Sequence, residues 1–264
     1  MLIFRLKTFV AALLVLAPAA IAQEQKPATP AIDPAEREKI EAVMVEYLLE
    51  HPEVVMVALR EFQRRQMVSQ MMPAISLYRD YLENEPGAPV LGNPDGDVTI
   101  VEFFDYRCSF CRKHFPAVMQ LLKEDSNIRL VPKQYPILDR RGQPPLSFMS
   151  ARAAMAAHQQ GKFAELHIAL MSEPNGITSE DQIYVIAQRE GLDVARLKED
   201  MRSRLIDKNI QNSLAIGQEI GFTGTPGYII ANDVIVGAEG LYRLQEAVAR
   251  ARGEEPNRGL LTAN

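Results

Sequence analysis

Scarcity is the first feature of this chain. Of 264 residues only two are cysteine, Cys108 and Cys111, and none is tryptophan. Two cysteines cannot build a disulfide framework, and no second pair exists to complete a four-cysteine zinc site. Three apart, they also make a poor crosslink, because closing so short a loop removes little unfolded-state entropy. Positive charge is short as well. A formal net charge of −5 excludes the basic footprint of a nucleic-acid or anionic-membrane binder. No apolar run reaches the ~20 residues that a membrane span needs. The missing tryptophan decides little.

The longest apolar stretch lies at the start. Arg5 and Lys7 precede the run Phe9 to Leu16, and Ala20-Ile21-Ala22 follows as a small-x-small cleavage pattern. Residues 1–22 therefore read as a secretory signal peptide cut after Ala22, with no cysteine beside the cut to carry a lipid. Residues 23–32 (QEQKPATPAI) are a polar, proline-rich flexible leader.

A helical pattern starts at Asp33, which suits an N-cap, with Pro34 in the first turn and Glu36 as the capping-box acid. Ile40, Val43, Met44, Tyr47 and Leu48 recur at three-four spacing. His51-Pro52 interrupts them, and Val55, Leu59 and Phe62 continue in a second helix. Met71, Ile75, Tyr78 and Leu82 mark a third segment whose start is blurred by Pro73. Residues 33–85 are too few and too charged to build their own core. They either collar their own domain or pair with copies of themselves; the expectation is a homo-oligomer, dimer or trimer, through this region. Residues 86–95, rich in proline and glycine, read as a linker.

Then the pattern changes. Val98 to Phe104 is a β-rich run, a helix is expected over 109–124, and Asn127 to Tyr135 alternates like a second strand. Strand, helix, strand at this spacing suggests a βαβ unit with a parallel pair. A helical stretch occupies about 137–220, and a hairpin follows with its turn at Asn232-Asp233. Leu241 to Arg252 is a terminal helix, and 253–264 a flexible tail. Cys108 and Cys111 thus open a helix, where unpaired N–H groups and the dipole favour a thiolate at the first of them. That is a redox pair, not a staple. Arg107, Arg112, Lys113 and His114 surround it with basic residues.

The order βαβ–helices–ββα, with Cys108-Ser-Phe-Cys111 opening the first helix and Thr225-Pro226 opening the hairpin, resembles a thioredoxin-like fold. More narrowly, it resembles the DsbA family of exported thiol-disulfide oxidoreductases over about residues 95–252. The resemblance implies an α/β domain at 96–252 with a helical insertion, preceded here by an all-helical N-terminal extension. It implies that Cys108 is the nucleophile, that Cys111 is the buried resolving thiol, and that the two close a Cys108–Cys111 disulfide. Thr225 and Pro226 would form the cis-proline loop that, with Ser109 and Phe110, meets an extended substrate. Glu102 matches the family's buried acid, placed to relay the Cys111 proton, and Lys133 matches a lysine that pairs with that acid. No cofactor and no metal are implied. The partners would be reduced or misfolded exported proteins and a membrane redox partner that maintains the cysteine pair, all in the periplasm.

This chain departs from the best-known family pattern in two places. Ser109-Phe110 replaces Pro-His, removing a cation from between the cysteines, so a less oxidising pair is expected. The N-terminal helices resemble those of the ScsC-like group, whose oligomers are isomerases or reductases. Oxidase and isomerase or reductase both stay open. An alternative of another class is a periplasmic soft-metal (copper) binder using Cys108, Cys111 and His114, with Met67, Met71 and Met72 as further ligands. A non-catalytic use of the fold has no specific support in the sequence.

Overall fold

The computed structural model describes residues 33–254; the expected signal peptide and leader, and the tail beyond 254, lie outside the described residues. The chain divides into two compact units, with the boundary between Leu59 and Arg60.

The first unit holds α1 (Pro34–Glu50) and the opening turns of α2 (Pro52–Asn84). Asp33 caps α1 by accepting from the Ala35 N–H, and Pro34 sits where its missing N–H costs nothing. His51 closes α1, and Pro52 starts the next helix, as the sequence suggests. No residue of α1 is buried, and Val43 and Leu49 are 64% and 77% exposed.

The second unit begins inside α2. Helix α2 runs unbroken through Pro73, so the expected third segment is one helix with the second. A proline inside a helix removes one hydrogen bond and strains the preceding turn. Here burial of Met71, Ile75 and Leu82 holds the helix together across it. The linker expectation also needs correction: Leu91–Gly92 form a short strand, β1, paired antiparallel with Leu130 and Arg129.

The sheet order is β1-β3-β2-β4-β5. Its centre is β2 (Val98–Phe104), paired in parallel with β3 (Ile128–Gln134) from Val98↔Ile128 to Phe104↔Gln134. On its other side lies antiparallel β4 (Gly227–Ile230), which turns into β5 (Asp233–Val236). The turn is one residue earlier than expected, with Ala231 at φ 50. Asp233 belongs to the strand because its carboxylate is held by Arg64, Arg243 and Arg250. Between β2 and β3 runs α3 (Ser109–Glu124). The helical insertion comprises α4 (Leu146–Gln159), α5 (Phe163–Met171), α6 (Glu180–Arg189), α7 (Val194–Asp200) and α8 (Arg204–Ile220), and α9 (Leu241–Ala251) ends the described fold.

The period-2 alternation of β2 sorts two cores. Ile100, Phe104 and Tyr106 share one face with Tyr228, Phe115 of α3 and the apolar sides of α4 to α6. Val101 and Phe103 share the other with Val131, Tyr135, Ile229, the α2 residues Met71, Ile75 and Leu82, and the end of α8.

Candidate active site

The end of β2 is bent into the active-site helix by Asp105. Its main-chain carbonyl accepts from Cys108 N–H at 3.0 Å, while its carboxylate accepts from Arg107 N–H (2.8 Å) and Leu138 N–H (3.1 Å). This buried side chain is an Asx-type turn maker, a role that the Asp two residues before Arg107 signals in the sequence. Cys108 is thereby delivered as the N-cap of α3.

The two thiols occupy different environments. Cys108 is 6% exposed and Cys111 is fully buried. The Cys108 pKa falls to about 5, chiefly because Cys111 donates a hydrogen bond to its sulfur. Burial opposes this shift, while Thr225 and the backbone N–H groups of Cys111 and Phe110 assist it. The Thr225 hydroxyl has no other partner. Burial, followed by the nearby Cys108 sulfur, pushes the Cys111 thiol strongly upward. The low Cys108 pKa is thus reached without a histidine between the cysteines, since helix-end N–H groups and the second thiol take its place.

Thr225–Pro226 is a cis peptide, and the Thr225 carbonyl lies 3.3 Å from Cys108 Sγ. The loop is backed by Phe222, whose carbonyl accepts from the Tyr135 hydroxyl at 2.7 Å. Its ring packs so closely on Gly227 that a Cβ there would meet it at 2.4 Å. Ser109 and Phe110 are exposed beside the thiols, Phe110 by 62%.

Behind the thiols is Glu102, 1% exposed, on the face of β2 that alternation gives to Ile100 and Phe104. Its Oε1 accepts from the Tyr228 hydroxyl at 3.1 Å, and Oε2 has no partner. Burial raises its pKa to about 7, with the Tyr228 hydrogen bond pulling the other way. Tyr228 also lies within electrostatic reach of both cysteine sulfurs.

Lys133 does not pair with Glu102. In the parallel register Lys133 faces Phe103 while Glu102 faces Pro132, and in-register neighbours share a face. Lys133 therefore points into the opposite core, where Nζ donates to Glu85 at 2.8 Å and to the Tyr81 carbonyl at 2.9 Å. His114 is also not one of the basic residues around the site. It is buried, and burial lowers its pKa, leaving it neutral. Arg107 lies 3.5 Å from Asp139, and Arg112 donates to the Glu173 carbonyl at 2.9 Å.

The metal alternative finds no assembled donor set. Both His114 nitrogens are engaged, with Tyr228 and with the Gly240 N–H, and Met71 lies in the opposite core. Among the described residues no cluster of three or more His, Cys, Asp or Glu side chains could hold a metal ion.

Residues 99–249 match the family model for the DSBA-like thioredoxin domain. The chain belongs to this family. A thioredoxin-like oxidoreductase from Silicibacter pomeroyi shares the DsbA-like fold at 44% identity, covering 66% of this chain and 98% of its own, with a TM-score of 0.62. A linker-deletion mutant of Proteus mirabilis ScsC covers 86% of this chain and 99% of its own at 20% identity and a TM-score of 0.62, a likeness of fold. A curated relative, the sodium/proton antiporter NhaA 3 of Salinispora tropica, is 30% identical over 141 residues. That match takes 53% of this chain and spans about a fifth (21%) of the antiporter's length. Among the described residues no helix is long and apolar enough to cross a membrane. The cysteine pair, the cis Thr225–Pro226 loop and Glu102 all lie within the matched stretch.

Proposed function

We propose that the protein is an exported thiol-disulfide oxidoreductase acting on protein substrates in the periplasm. The observation that carries this reading is the asymmetry of the pair: a Cys108 thiol with its pKa near 5 beside a fully buried Cys111, both against the cis Thr225–Pro226 loop. In the oxidising direction a substrate thiolate attacks Cys108 of the disulfide, Cys111 leaves and takes a proton, and a second substrate thiol releases Cys108. In the reducing direction Cys108 attacks a substrate disulfide, and Cys111 then displaces the substrate, giving its proton to the Glu102 carboxylate. A low-pKa Cys108 is a good leaving group, which favours oxidation of substrates. Extended substrate backbone lies along Thr225, and Phe110 offers an exposed apolar contact.

A second reading, isomerase or reductase, is favoured by the exposed apolar residues of the first unit, which fit burial between copies of the chain. Several active sites in one particle keep a substrate captured while wrong disulfides are broken and remade. Refolding of a reduced and of a scrambled substrate, followed in parallel, tests both. Cys108→Ala must abolish both activities; if refolding persists, the assignment fails. Light scattering on the full chain and on Leu49→Glu decides the assembly: equal masses would sink the role given to the first unit.

A further inference from the structure

His114 is one helical turn beyond Cys111 and is buried between β4 and the loop before α9. Gly240 adopts φ 85, ψ 172, a region open essentially only to glycine, and from there donates its N–H to His114 Nε2 at 2.9 Å. A backbone N–H cannot accept, so Nε2 carries no proton, and in the neutral ring the proton sits on Nδ1. Nδ1–H then donates to the Tyr228 oxygen at 2.7 Å, and the single hydroxyl proton of Tyr228 goes to Glu102 Oε1 at 3.1 Å. The chain of donors runs one way only, from the Gly240 backbone to the carboxyl.

We propose that His114 is a positioning residue for the buried acid: by fixing the Tyr228 hydroxyl it keeps Glu102 Oε1 engaged and reserves Oε2 for the proton exchanged with Cys111. The proposal rests on reading Glu102 as the acceptor of that proton. Glu102 Oε2 is buried without a partner, so one carboxyl oxygen is held and the other is free. The titratable groups that face Glu102 itself are Tyr228 from β4 and Tyr106 just past the end of its own strand, itself bonded to His167 of α5, while Cys108, Cys111 and His114 from α3 face Tyr228. From β3 the neutral Gln134 approaches Tyr106, while Lys133 faces the other core. None of these groups on the Glu102 face is a cation at neutral pH, so the Tyr228 hydroxyl alone offsets burial of the carboxylate. A donor whose own oxygen accepts from an imidazole N–H is polarised and rotationally fixed, which strengthens its bond to the carboxylate.

Dithionitrobenzoate reads the two thiols in turn. The Cys108 thiolate attacks the reagent disulfide and releases one thionitrobenzoate. Cys111 then loses its proton to Glu102, its sulfur bonds to Cys108 Sγ, and a second thionitrobenzoate leaves with the electron pair. The second release should quicken with pH around a midpoint near the Glu102 pKa of about 7. His114→Leu should raise this midpoint by about half to one unit, a slowing of about two- to fivefold at pH 7. Tyr228→Phe should raise it at least as much. His114→Asn, which keeps an N–H where Nδ1 lies, should restore it, and the first release should keep its profile in all three variants. An unmoved midpoint in His114→Leu, or one that asparagine does not restore, overturns the proposal. If Glu102→Gln keeps the wild-type midpoint, it is the assignment of Glu102 itself that fails.

Discussion

Glu102 and Lys133 lie on adjacent strands of one sheet, 1% and 2% exposed, yet they are buried in opposite cores. Lys133 has a carboxylate, a carbonyl and the Tyr81 ring, 4.6 Å from Nζ, to compensate its charge. Burial lowers its pKa, while Glu85 pulls the value back. Glu102 has one neutral hydroxyl and no cation. The comparison separates two uses of a buried ionisable group. A charge with its countercharge fixes structure; an acid denied one is left poised to exchange a proton near neutral pH.

The largest effect expected from testing this contrast falls on the paired side. Lys133→Met strands the mostly buried Glu85 and should cost about 3 kcal/mol of stability in urea unfolding, with Glu85→Gln added to it recovering most of the loss. A neutral Lys133→Met would break the comparison. On the unpaired side the sign reverses. The folded-state pKa of Glu102 lies above its ordinary value, so the folded state binds the proton more tightly than the unfolded chain. Its contribution is therefore fully present below pH 4.5 and is lost as pH rises through about 7. Glu102→Gln should leave stability unchanged in acid and raise it by up to about 3 kcal/mol above neutrality, while slowing exchange. Equal stabilisation at all pH values would mean that Glu102 does not titrate as described. The smallest effect belongs outside both cores: Phe110→Ala should change stability by under about 0.5 kcal/mol while weakening peptide disulfide binding, measured as KM. A stability loss of core size would place Phe110 in the packing instead.

Much of this was legible from local pattern. Strand 98–104 and helix 109–124 fall where periodicity puts them, because each carries a full amphipathic or buried repeat. What escaped depends on pairing between distant segments. Strand β1 is two residues long and leaves no pattern. Lys133 was assigned to Glu102 because a family position carries no register, whereas the β2–β3 register puts the two on opposite faces. Its true partner, Glu85, lies in a stretch that reads as linker. Tyr228 and His114 escaped for the same reason: their link crosses 114 residues and is a contact of the folded state alone.

The cover that residues 71–82 provide over the second core sets the smallest portable piece of this protein. A fragment starting at residue 86 would leave Val101, Phe103, Val131 and Ile229 with one wall missing and would sever Lys133 from Glu85. Apolar surface of that kind, once bared, drives aggregation. The matched family stretch, 99–249, thus leaves out one wall of the second core, and an excision of the exchange chemistry should carry residues 71–85 with it.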